Sequence, residues 1–221
     1  MADRDPEQEN LFKEIDEDLR QQKYAGLWKK YNKILIGILI VLIVSVGSFK
    51  GWETYQLNRK YEESNLFSSA LKSIQANNLS AADSILNNIK GASGSGYLIL
   101  SKFNQASILS QKGDKNTAAT LYLALSEDMG IEKTYRDIAI ILFALNSSKS
   151  DRIDISLNKL NLLINSNSPW RYTAKELSAM LLYEKGKMSD ALSLYQEIIA
   201  DKTVPNGIRE RASEMASVIG N

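Results

Sequence analysis

Cysteine and histidine are both absent from the 221 residues. Without them there are no disulfides, thiolate nucleophiles, Ser/His triads, Cys/His zinc sites or His-carboxylate iron sites. An excess of charge of one sign is also lacking. The 27 Lys and Arg stand against 26 Asp and Glu, so no strong field draws the chain to nucleic acid or anionic lipid. Proline and glycine are scarce, at 3 and 12 residues, and Leu, Ile, Ala, Lys and Glu are abundant. That balance favours long helices over a sheet rich in turns, and the expected fold class is all-α.

Carboxylate pairs are what remains for catalysis. Asp16, Glu17 and Asp18 are consecutive, so on a helix they point in different directions and cannot converge on one atom. Glu62-Glu63 and Glu127-Asp128 read as solvated helix surface. The stretch Lys90-GASGSG-Tyr97 is Gly-rich, but no Gly-Lys-Ser/Thr follows and no strand precedes it, so it reads as a flexible join. The chain therefore reads as non-enzymatic, with no cofactor, metal or small-molecule substrate expected. The enzymatic alternative is a lytic enzyme acting on cell-wall glycan, and it needs two acidic side chains meeting in a cleft.

One long apolar run is present. From Ile34 to Phe49 the sequence is ILIGILIVLIVSVGSF, which as a helix covers roughly 24 Å of the ~30 Å hydrocarbon layer. Lys33 and Lys50 can snorkel to the headgroups, and Trp28, Tyr31, Trp52 and Tyr55 supply interfacial rings at the two ends. Within the run, Ile34, Gly37, Val41, Val44, Gly47 and Phe49 mark the expected membrane span. Two other readings are weaker. A soluble core helix is seldom apolar around its whole circumference, and a cleaved leader would not carry a long charged segment ahead of it. Basic residues concentrate before the run (Arg20, Lys23, Lys29, Lys30, Lys33) rather than after it (Lys50, Arg59, Lys60), which predicts a cytoplasmic N-terminus.

The expected layout is a cytoplasmic tail at 1–30, a span with its flanks at 31–54 and a repeat domain on the far side at 55–221. Leu11, Ile15 and Leu19 in the tail share helical spacing, compatible with a short amphipathic helix or with a solvated tail. Gly47 and Gly51 form a small-xxx-small pair where a second helix can pack.

Repeats organise the remainder. Segments 65–89, 101–125 and 174–198 each read helix, turn, helix, with alanines at Ala70 and Ala82, Ala106 and Ala118, and Ala179 and Ala191. Each pair is 12 residues apart, and a spacing near 36 between units points to a tetratricopeptide-type array. An Ala in each helix lets two backbones approach, and Leu86, Tyr122 and Tyr195 fill the space one turn on. Lys112-Gly113-Asp114 and Lys185-Gly186-Lys187 supply turns able to take left-handed angles. Ser168-Pro169 and Val204-Pro205 read as helix starts, the second opening a capping helix over 205–219 with Ile208, Ala212, Met215 and Ile219 on one stripe. A degenerate third unit is expected over 131–164, with Leu157 or Ile155 at the alanine position. About four divergent units plus the cap result. One or two of the scattered tyrosines (Tyr55, Tyr61, Tyr97, Tyr122, Tyr172, Tyr183, Tyr195) are candidates to line a peptide groove.

GDKNTAATLY and GKMSDALSLY resemble the turn-helix half of tetratricopeptide repeats. The order of parts, with FKEIDEDLR, LWKKYNK and GWETY around the span, resembles the YfgM-like family of ancillary SecYEG translocon subunits in its alphaproteobacterial form. That resemblance implies a bacterial inner-membrane protein whose repeats face the periplasm. As partners it implies the SecYEG channel and membrane-anchored chaperones that receive emerging chains. A rival is a scaffold for cell-wall synthesis or outer-membrane assembly.

Overall fold

The computed structural model describes residues 6–91, 95–147 and 151–220, with side chains described from Leu19 onward except Gln21. Among these residues there are nine α-helices and no strand. The stripe residues Leu11 and Ile15 and the acidic run Asp16 to Asp18 lie outside the described side chains. Two compact units divide between Lys60 and Tyr61.

The first unit is built on helix α1 (Pro6–Gln75), which is long and apolar enough to cross a membrane. None of its apolar stretch is buried. From Ile34 to Phe49 the large apolar side chains are half to two thirds exposed, all around the helix. Burying such a side chain is worth roughly 1.5–3 kcal/mol, so a soluble core helix would not leave the whole set uncovered. Ser45, the run's first polar side chain, donates to the Val41 carbonyl at 2.7 Å and so satisfies its hydroxyl within the helix. Helix α1 runs without a break from Pro6 to Gln75 and contributes its last turns to the second unit. No Pro falls between Pro6 and Gln75, and isolated glycines weaken a helix without ending it.

In the second unit, hairpins follow one another. The end of α1 pairs with α2 (Leu79–Leu86), α3 (Gly96–Gln111) with α4 (Lys115–Glu127), α5 (Lys133–Asn146) with α6 (Ile153–Ile164), and α7 (Arg171–Glu184) with α8 (Met188–Ala200). Helix α9 (Asn206–Gly220) closes the series, burying Ala212 and packing Ile208, Met215 and Ile219 beside it. Three of the hairpin turns are three residues long, and the middle residue of each has positive φ: Asn77 at 56°, Gly113 at 89° and Gly186 at 81°. Side chains cap the helices after two of them, where Asn78 accepts from the Ala81 N–H and Asp114 from the Thr117 N–H.

Small residues stand at the centre of every hairpin. Ala70, Ala82, Ala106, Ala118, Ala179 and Ala191 are all 0 % exposed. The third hairpin has the same pair at the same separation, Ala144 and Ser156, again 0 % exposed. Ser156, with Leu160 and Leu163 buried four and seven positions on, matches Ala191 with Tyr195 and Ile198. The small position of α6 is therefore Ser156, not Leu157 or Ile155. An even spacing of 36 misplaced it because the steps between units are uneven: Ser156 stands 38 residues after Ala118 and 35 before Ala191.

That hairpin also carries a buried acid. Asp137 is 6 % exposed and takes Lys133 Nζ at 2.6 Å and the Ser168 hydroxyl at 2.7 Å. Ser168 in turn accepts from the Trp170 N–H at 3.3 Å, which ties α5 to the start of α7. Ser156 is the opposite case, its buried hydroxyl having no partner among the described residues. Replacing Ser156 with Ala should raise stability by about 1 kcal/mol by removing an unsatisfied group, whereas Ser156→Leu should lower it by ~1–3 kcal/mol through overpacking. Thermal melts of the two variants beside the parent check this, and a destabilised Ser156→Ala would refute the close crossing at this position.

Candidate functional site

Helices α5, α7 and α9, the first helices of successive repeats, lie side by side in the second unit. Between them runs a groove of about 660 Å³. Helix α7 supplies one face of it with Thr173, Glu176, Leu177, Met180, Tyr183 and Glu184, spaced at three and four residues as a single helix face requires. Ile141 and Leu145 come from α5, and Arg211, Glu214 and Met215 from α9. Leu145, Met180 and Met215 are 35 residues apart in turn, as are Ile141, Glu176 and Arg211. Repetition thus turns one helix position into a row across three helices.

Charge is confined to the rim. Arg211 is held by Glu176 in a two-pronged ion pair, its Nε and Nη2 donating to the two carboxylate oxygens at 2.6 and 2.8 Å. Glu184 and Glu214 are exposed and have no ion pair among the described residues. At the base sits Tyr195, 1 % exposed. Burial, with a smaller contribution from the Glu176 charge, pushes its phenol up to about 12.

The sequence profile of the tetratricopeptide repeat-like domain matches residues 26–212. The chain belongs to that family. The match begins ahead of the apolar run of α1 and ends within α9, so it takes in the apolar segment and all four hairpins. No curated protein matches the chain. Tetratricopeptide repeats act through protein contacts, and the structure places its groove where such a contact can form.

Two of the candidate tyrosines, Tyr183 and Tyr195, line the groove. Tyr122 is buried between α3 and α4 instead, its hydroxyl 3.4 Å from the Phe103 carbonyl and its ring tilted against that of Phe103. Tyr172 lies beside Thr203 and under the Arg171 guanidinium, and these contacts hold its phenol below its ordinary value. On α1, Trp28, Trp52 and Tyr55 are exposed, Trp52 and Tyr55 stack obliquely at 6.1 Å, Lys30 sits over the Tyr31 ring, and Lys50 pairs with Glu53 at 2.8 Å. A side chain added at Gly26, Gly37, Gly47 or Gly51 would meet no neighbour. Of the carboxylates, Glu127 pairs with Lys159 at 2.7 Å and Asp128 accepts from the Gly130 N–H at 2.9 Å. Among the described residues no three acids gather as a metal site.

The groove row went unread in the sequence, although a signal existed. It is the residue after each central alanine: Leu71, Ser107, Leu145 and Met180. Stability should register the Tyr195 environment. The folded chain holds this phenol neutral more firmly than the unfolded chain, so its contribution is complete below pH 10, its ordinary value, and is lost as pH rises toward about 12. Tyr195→Phe should flatten that alkaline limb in melts between pH 9 and 12, and an unchanged limb would contradict the assignment.

Proposed function

We propose that the chain is a non-enzymatic, membrane-anchored repeat adaptor: α1 crosses the inner membrane once and the repeats hold partner proteins in the periplasm. The observation that carries this reading is a helix with a fully uncovered apolar surface in the same chain as a tetratricopeptide-like groove. The bias of basic residues supports a cytoplasmic N-terminus. Anchoring raises the local concentration of the groove near membrane complexes, so contacts too weak for free proteins still form. The resemblance in LWKKYNK and GWETY supports a finer assignment, an ancillary subunit of the SecYEG translocon that links export to membrane-anchored periplasmic chaperones.

Site-specific photo-crosslinking in native membranes tests this, with the probe at Val44, Ser48 or Trp52 and the adducts read by mass spectrometry. Translocon subunits should appear from Val44 and Ser48, and periplasmic chaperones from Trp52, at the outer end of the run. Adducts restricted to cell-wall synthesis or outer-membrane assembly proteins would replace the translocon with another envelope complex. Adducts to cytoplasmic proteins from Trp52 would reverse the orientation.

A further inference from the structure

The groove has a chemical preference of its own. Its floor is the apolar row Leu145, Met180 and Met215. Leu145 is 46 % exposed, and unbranched methionines repack around varied apolar shapes. On α3 the matching position is Ser107, so the apolar row belongs to the C-terminal half of the unit. Around the floor stand three carboxylates, Glu176, Glu184 and Glu214, and one cation, Arg211, whose guanidinium is already committed to Glu176. A ligand therefore meets two exposed carboxylates, Glu184 and Glu214, that have no ion-pair partner among the described residues and stand beside an apolar strip, Glu214 within the field of Arg211.

Resting on the adaptor reading, we propose that the groove takes an amphipathic helix of a partner protein, apolar on one face and flanked by Lys or Arg that meet Glu184 and Glu214. An acidic segment would face like charge from both carboxylates, and an anionic lipid headgroup is disfavoured for the same reason. The apolar face of the partner would seat on Leu145, Met180 and Met215 at i, i+3, i+4 and i+7, the usual spacing of a helix laid in a groove.

The test uses the full chain in nanodiscs of zwitterionic lipid, with empty nanodiscs as the blank. Two fluorescent helical peptides share one leucine face and differ only in carrying Lys or Glu beside it, and anisotropy reports binding at low and high salt. The Lys peptide should bind roughly tenfold more tightly than the Glu peptide, and added salt should narrow the gap. Glu184→Lys with Glu214→Lys should reverse the preference. Leu145→Glu, at a half-exposed position, should weaken the Lys peptide in the parent background. If both peptides bind equally and both respond to Leu145→Glu, the acidic preference is overturned while the adaptor reading stands. If neither binds above the blank, the groove is not a helix-binding site, and the adaptor reading then rests on the crosslinks alone.

Discussion

Close approach of two helices at a pair of small residues is the constraint from which the second unit is built. A side chain larger than Ala or Ser at either member would hold the backbones apart, because packed interiors leave no spare volume for it. With all eight positions fully buried, each hairpin closes in the same way, and each then offers its neighbour the same surface. Leu86, Tyr122, Leu160 and Tyr195 sit four residues after the small residue of the second helix and fill the gap beside the crossing. The surface ion pairs Lys159–Glu127 and Lys175–Glu197 add little by comparison, since exposed pairs contribute about 0–1 kcal/mol.

The groove follows from that common register. Because α5, α7 and α9 repeat at a fixed offset, one position on a helix becomes a row, and what the row holds sets its chemistry. Apolar residues occupy one row and charged residues part of the next, which gives a surface both adaptable and signed. The groove thus combines exposed charge, Glu184 and Glu214, with methionines that are partly covered and pack on the core beneath, Met180 and Met215.

Much of the fold was legible in the sequence, and the exceptions have physical reasons. Alanine pairs 12 apart and the left-handed glycines at 113 and 186 mark three hairpins outright, because both features answer local steric demands. The third hairpin was obscured twice. Ser replaces Ala at its second helix, and the steps between units, 38 residues from Ala106 to Ala144 and 35 from Ala144 to Ala179, upset a search that assumes an even period. Asn77 took a left-handed turn that glycine-based reading overlooks. Asp137 could not be recognised as buried: Lys133 stands one turn before it on the same helix, as in any solvated i,i+4 pair, and Ser168 meets it only once the start of α7 packs on α5. Helix continuity from the apolar run into the first repeat was likewise unreadable, because amphipathic and uniformly apolar stretches carry different periodic signals even when one backbone helix joins them.

The shared crossing in all four hairpins is tested most directly by disulfide trapping, for which a chain without cysteine is well suited. Paired substitutions Ala106→Cys with Ala118→Cys, and Ala144→Cys with Ser156→Cys, are oxidised mildly and followed by non-reducing mass spectrometry. Disulfides need Cα atoms within about 7 Å, so closure at similar rates is expected if the third hairpin crosses as the second does. Ready closure of the first pair with none in the second would show that the third hairpin packs differently, and the groove row through Leu145 would lose its basis.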